Sequence, residues 1–191
     1  MSKLDLEHTN DPKTVALAGA IEKKLYEREK KVEHLSSSIL YFERGYYLLN
    51  NRYHAINLAY MLICRANSSL DESEHEKIAD LVAAKRVWKR VLILCEKDWK
   101  ELEKNGTSIN ERQIDEELIT KQTESNNEQR FWILANKAEA YFGLGLLSEY
   151  ENSKAEALSL KPEDWMAESF TSQVEALGKL LDKQKHLISS E

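Results

Sequence analysis

The chain has 191 residues, of which 42% are hydrophobic, and this is enough apolar material to bury a substantial core. Two prolines and six glycines are too few for an all-β protein, which needs many tight turns. The formal net charge of −6 argues against a surface that follows nucleic-acid phosphates. Composition therefore favours a helical, acidic protein whose main partners are not nucleic acids.

The cysteines and the apolar runs indicate the cellular compartment of the protein. Cys64 and Cys95 stand in apolar surroundings without a CxxC partner, which is typical of buried thiols in a reducing compartment, although their spacing alone leaves a disulfide open. The N-terminal stretch MSKLDLEHTNDPKT lacks the apolar core of a signal peptide. The longest apolar run, INLAYMLIC, has about half the length that spans a bilayer. We expect a cytoplasmic protein that does not enter the membrane.

Helical periodicity predicts two helix pairs in the first half of the chain, over residues 12–50 and 53–104. The first opens with Asp11 as a cap candidate and Pro12 in the first turn. One face of its first helix carries Val15, Ala18, Ile21, Leu25 and Tyr26. The second pair joins an almost wholly apolar helix, expected to be the most buried, to a long helix from about residue 74. The apolar positions of that long helix are Ile78, Leu81, Val82, Trp88, Leu92, Cys95, Trp99 and Leu102.

The second half begins with a polar segment, residues 105–127, which we interpret as a mobile insertion with at most a short helix. A third helix pair is predicted over residues 128–162, where Pro162 prevents continuation. A capping helix over residues 163–188 follows. Its apolar side carries Trp165, Phe170, Val174, Leu177 and Leu181. No strand is required, so the predicted fold is all-α.

Small residues recur at fixed intervals in the stretch FWILANKAEAYFGLG, residues 131–145. When Phe131 is counted as position 1, Ala138 falls at position 8, Gly145 at 15, Ala157 at 27 and Pro162 at 32. This spacing resembles the tetratricopeptide repeat, a pair of antiparallel helices with a period of about 34 residues. Small residues at these positions allow two helices to approach closely.

The first helix pair shows a related pattern. Gly19 corresponds to position 8, and Ser38, Phe42 and Gly45 have the spacing of positions 20, 24 and 27. The third helix offers Ala59 for position 8. We therefore predict a single domain of about seven helices, stacked as a short tetratricopeptide-like α-α superhelix. The small residues should face other helices of the same chain.

The order of these segments also resembles one divergent family. The segments are ALAGAIEKKLYE, ILYFERGYYL, RYHAINLAYMLICRA, QRFWILANKAEAYFGLG and DWMAESFTSQVEAL. They are similar to the tetratricopeptide-type TRAFs-binding region of apoptosis signal-regulating kinases and of many bacterial signalling proteins, above all through YHAINLAYML. The resemblance implies a non-catalytic regulatory or scaffolding module, without a cofactor, that binds a protein or peptide partner.

Partner-binding residues are expected on the first helix of each pair, which lines the concave face of such arrays. The candidates are Asn57, Tyr60, Trp132, Asn136, Glu139 and Phe142. Asn57 and Asn136 each precede the small position-8 residue by two, so they occupy the same repeat position. Their amides could bind the backbone or the C-terminal carboxylate of a peptide. Alternatively, each could satisfy a carbonyl of a neighbouring helix inside the stack.

Two other classes of function have weaker support. An enzyme with a pocket in the array would need convergent titratable groups. Glu139 could serve as a general base, but no nucleophile or metal ligands accompany it, so pairing within the helix stack is favoured. The histidines show no metal-binding spacing. RNA binding by helical repeats conflicts with the acidic balance. Whether the chain forms a homo-oligomer is left open.

Overall fold

The computed structural model describes residues 9–68, 73–107 and 116–184, with side chains omitted at 105–107 and 116–123. Within these ranges the chain forms seven α-helices and no strand, which confirms the all-α prediction. The helices are α1 (Pro12–Glu29), α2 (Val32–Leu49), α3 (Arg52–Ala66), α4 (Glu74–Thr107), α5 (Glu116–Gly143), α6 (Leu147–Ser159) and α7 (Asp164–Lys183). Residues 108–115 of the predicted insertion lie outside the described residues, as does the C-terminal tail.

The residue contacts group the chain into two compact units. The first unit comprises Met1–Arg90 together with Leu177–Glu191, and the second comprises Val91–Ala176. Helices α4 and α7 contribute residues to both units. None of the helices in the described ranges is long and apolar enough to cross a membrane.

The α1–α2 pair of the first unit packs through a glycine. Helix α1 begins after Asp11, whose side chain accepts a hydrogen bond from the Thr14 backbone N–H at 2.8 Å. A methyl group added at Gly19 would lie 2.9 Å from the Phe42 ring on α2, so only glycine allows this approach. The Ser38 hydroxyl donates to the Gly19 carbonyl at 3.1 Å. These contacts confirm that the small residues of this pair face another helix.

The α2–α3 contact is closer still. A methyl group at Gly45 would lie 1.9 Å from Cδ2 of His54, so the imidazole ring occupies the space that a side chain would need. Helix α3 has 12 of its 15 residues buried, more than α1 or α2, which confirms the prediction that the third helix is deeply buried. Its C-terminal end is closed by Gln184, whose side-chain amide donates to the Ala66 carbonyl at 3.1 Å.

In the second unit, α5 and α6 form the helix pair predicted from the repeat spacing. Ala138 and Ala157, at positions 8 and 27, are both fully buried, and Phe131 belongs to the same core cluster. Gly145 has a different role from the close contact expected of it. Its φ of +76° is left-handed, and a methyl group added there would meet nothing within 4 Å, so it permits the turn between the helices.

Helix α5 begins at Glu116, so residues 116–127 are part of a long helix, and the prediction of at most a short helix in this segment is wrong. The segment EELITKQTESNN contains neither glycine nor proline and is rich in residues with favourable helix propensity. Its polarity indicated that it has little to bury, but polarity does not prevent helix formation. Helix α4 likewise continues through Gly106 to Thr107.

Four apolar residues predicted on buried faces are exposed. Ile21 is 49% exposed and Trp165 is 53% exposed, while Ile78 and Val82 are 39% and 36% exposed. Trp165 precedes the buried Phe170 by five residues, which places it about 140° away around the helix. Met166, four residues before Phe170, is buried in its place.

Candidate partner-binding surfaces

Helices α1 and α3 of the first unit meet through three side chains, here called the α1–α3 junction: Lys23, Asn57 and Tyr60. The Lys23 ammonium donates to Oδ1 of Asn57 at 2.9 Å. It also lies 4.6 Å from the centroid of the Tyr60 ring, within the range of a cation–π interaction. Lys23 is half-buried, whereas Asn57 and Tyr60 are 6% and 5% exposed. The junction therefore holds a positive charge in a defined position beside the groups that bind it.

The amide of Asn57 is engaged on both sides. Its nitrogen donates to the Tyr53 carbonyl, one turn earlier on the same helix, at 2.9 Å, while its oxygen accepts from Lys23 on α1. Asn57 thus contacts the neighbouring helix α1 through the Lys23 ammonium group. The sequence suggests a backbone carbonyl or a group of a binding partner instead. The amide fixes the position of the Lys23 charge.

Cys64 lies one turn beyond Tyr60 on α3, next to the α1–α3 junction. Burial raises the pKa of its thiol to about 12, despite the nearby Lys23 ammonium and a hydrogen bond with the Tyr60 side chain. The thiol is consequently protonated at neutral pH and is a poor nucleophile. Its structure fits the buried, inert cysteine that the sequence predicts.

Helices α5 and α7 of the second unit meet through a carboxylate and an amide, here called the α5–α7 junction: Glu139 and Gln173. The side-chain nitrogen of Gln173 donates to both carboxylate oxygens of Glu139, at 2.9 and 2.8 Å. Glu139 is only 3% exposed. This contact agrees with pairing inside the helix stack, the interpretation of Glu139 that the sequence favours over a general base.

Two indole rings lie at the surface of the same helices, and we call them the tryptophan pair. The centroids of Trp132 on α5 and Trp165 on α7 are 6.0 Å apart, with the ring planes tilted by 45°. Trp165 is 53% exposed, and its Nε1 donates to the Glu163 carboxylate at 2.7 Å. Trp132 is partly buried against the ring of Phe131, at 5.0 Å between centroids.

The remaining two sequence candidates occupy different environments. Asn136 is partly buried and lies on the same side of α5 as Trp132 and Glu139, at spacings of four and three residues along the helix. Phe142 packs on the Tyr150 ring of α6, at 5.0 Å between centroids, and so borders the core of the second unit. Asn136 thus lies on the side of α5 that carries Trp132 and Glu139, whereas Phe142 contributes to packing between α5 and α6.

Sequence reasoning did not identify Lys23 and Gln173, although one signal points to both. Lys23 is separated from Asn57 by 34 residues, and Glu139 is separated from Gln173 by the same number. This number is the period of the tetratricopeptide repeat. A search for polar partners one period away from Asn57 and Glu139 would have found both pairs.

The two units also differ in net charge. The second unit contains 18 acidic and nine basic residues, a net charge of −9, whereas the first contains 15 acidic and 18 basic residues, a net charge of +3. The ionisable residue of each junction, basic Lys23 or acidic Glu139, is of the type that predominates in its unit. Among the described residues, no group of three or more His, Cys, Asp or Glu side chains is arranged to hold a metal ion.

A comparison with protein families finds a similarity at the N-terminal end of the chain. The Tetratricopeptide Repeats-Sensor family matches residues 1–62, a segment that includes α1, α2 and most of α3. The chain therefore has a tetratricopeptide-like region at its N-terminal end, and this region contains all three residues of the α1–α3 junction. The closer resemblance to TRAFs-binding regions stays a prediction. No curated protein and no solved structure matches the chain.

Proposed function

We propose that this protein is a non-catalytic interaction module, regulatory or scaffolding in role, that binds a protein partner through the first helices of its helix pairs. The observation that supports this most directly is the α1–α3 junction. It lies within the tetratricopeptide-like region and holds the Lys23 ammonium between an amide and an aromatic ring. Tetratricopeptide-type repeats are in general non-catalytic and mediate protein interactions.

The chemistry of the α1–α3 junction suits an acidic group of the partner. Lys23 is half-buried and already oriented by Asn57, so binding a carboxylate costs little additional side-chain entropy. A charge-assisted hydrogen bond from an ammonium to a carboxylate is stronger than one between neutral groups. An acidic side chain or the C-terminal carboxylate of a peptide would fit. The exposed ring of Tyr53, one turn before Asn57, offers adjoining apolar surface.

In the second unit, Trp132 and Asn136 form a separate partly exposed stripe along α5 within this proposal, whereas Glu139 is buried against Gln173. An enzyme is a weaker alternative because the reactive groups are engaged or protonated. Glu139 is bonded to Gln173, and the Cys64 thiol is kept protonated by burial. RNA binding is weaker too, since the protein as a whole carries a net charge of −6.

Removing the charge of Lys23 tests the proposal. Partners captured from cell extract and identified by quantitative mass spectrometry would be purified, and their affinities measured by calorimetry. Lys23→Gln removes the charge but keeps an N–H donor for Asn57, so we expect binding about tenfold weaker with a nearly unchanged melting temperature. Lys24→Gln, at an exposed position on the same helix, is the matched control and should bind like the wild type. A Lys23→Gln variant that retains full affinity would show that the partner does not use this junction.

A further inference from the structure

Packing within the second unit does not account for the exposure of the tryptophan pair. Tryptophan is usually well buried, yet Trp165 keeps 53% of its surface in solvent. The hydrogen bond from its Nε1 to Glu163 holds the ring in place, so it presents a fixed face. Trp132 lies 6.0 Å away and extends this face onto α5.

Carboxylates flank the tryptophan pair on both helices. Glu128 precedes Trp132 by four residues and lies one turn away on α5, while Glu168 follows Trp165 by three residues on α7. Both side chains are exposed, as is that of Glu163. The unit that carries the pair has a net charge of −9. An aromatic surface is thus combined with a negative field, and both features favour a cation.

We propose that the tryptophan pair is the docking surface for a basic segment of a protein partner, with an arginine or lysine side chain placed on the indole faces. The inference rests on the proposed function in taking the partner to be a protein, but it concerns a second surface with the opposite charge preference. The indole face is electron-rich and attracts cations more strongly than the other aromatic rings do. Arginine fits best because its planar guanidinium stacks on the ring while it bonds to carboxylates such as Glu163.

The proposal is tested with a defined peptide. A fluorescent ten-residue peptide with arginine at alternate positions is titrated with the full chain, and binding is followed by fluorescence anisotropy. A second peptide carries citrulline, which has the shape of arginine without its charge, at the same positions. We expect the arginine peptide to bind and the citrulline peptide to bind at least tenfold more weakly, since the cation is lost.

Variants of Trp165 separate stacking from general attraction to an acidic surface. Trp165→Leu keeps apolar area but removes the aromatic face, so the arginine peptide should bind about fivefold more weakly, whereas Trp165→Phe should retain most of the affinity. Leu147→Ala is the matched control, because Leu147 is 59% exposed in the same unit but lies on α6. Circular dichroism of each variant confirms that it is folded.

Several outcomes would overturn the proposal. If Trp165→Leu binds the arginine peptide like the wild type, or if Leu147→Ala loses as much affinity, the peptide is attracted by net charge alone. Equal binding of the citrulline peptide, or no binding of either, would exclude a cation site. Lys23→Gln should bind the arginine peptide normally, so failure at this surface is distinguishable from failure at the α1–α3 junction.

Discussion

The α1–α3 junction and the α5–α7 junction share one plan and differ in charge. In each, a charged side chain meets an amide that follows it by 34 residues, on the next helix but one. The first presents a half-buried ammonium within a unit of net charge +3, and the second encloses a carboxylate, 3% exposed, within a unit of net charge −9. In both junctions the repeat spacing places the contact between helices, while the residue at the contact determines whether it carries a basic or an acidic group.

The largest loss of stability is expected for substitution of Gly45. This glycine lies at a contact between two helices, whereas Gly145 of the second unit lies in an open turn. Gly45→Ala would place a methyl group 1.9 Å from the His54 ring, which is held between Phe42 and Tyr53, so neither helix can adjust without repacking. We expect the free energy of unfolding, measured by urea denaturation, to fall by about 3 kcal/mol. Gly145→Ala in the second unit should cost only about 1 kcal/mol, through its positive φ. Similar losses for both variants would contradict this distinction.

A smaller loss of unfolding free energy is expected when the amide of either junction, Gln173 or Asn57, is removed. Gln173→Ala removes two hydrogen bonds to a carboxylate that water scarcely reaches, and we expect it to cost about 2 kcal/mol of unfolding free energy. Asn57→Ala removes the contact to Lys23, but this ammonium is half-buried and water can replace the amide, so about 1 kcal/mol is expected. Chemical denaturation of both variants provides the comparison. If Asn57→Ala were the more destabilising, the α1–α3 junction would be the more structural of the two.

The smallest expected change in stability depends on pH and is caused by His54 of the first unit. His54 is buried, neither ring nitrogen has a hydrogen-bond partner in the described structure, and burial lowers its pKa. Below about pH 6.5 the unfolded chain binds a proton that the folded chain does not, so stability falls as the pH decreases through this value. Melting temperatures between pH 7.5 and 5 should therefore decline more steeply for the wild type than for His54→Leu. Equal slopes would show that His54 does not contribute.

The helices were predictable where the pattern is strong, as in the nearly continuous apolar run of α3 and the small residues Gly19, Gly45 and Ala138. These features depend on local spacing, which a single sequence displays. The buried faces are less predictable from the sequence: hydrophobicity groups Trp165 with Phe170, although a five-residue separation turns Trp165 toward solvent. The polar composition of residues 116–127 concealed a helix for a similar reason, because polarity reports on burial rather than on backbone conformation.

The candidate surfaces were only partly predictable. Asn57 and Glu139 stand out as polar residues in apolar helices, and the structure places each at a contact between helices. Their partners, Lys23 and Gln173, are ordinary surface residue types, and nothing in their immediate neighbours marks them. Pairing of this kind depends on how helices distant in sequence pack, and the repeat period is the single sequence feature that carries the information.

The hydrogen bond from Gln184 to the Ala66 carbonyl has a consequence for synthesis of the chain. The two residues are 118 positions apart, and the residues from Leu177 onward belong to the first unit. At typical translation rates of 5–20 residues per second, roughly ten seconds separate the appearance of these two groups on the ribosome. The Ala66 carbonyl therefore lacks its Gln184 partner throughout this interval, and the first unit cannot be completed until the residues from Leu177 onward have been made.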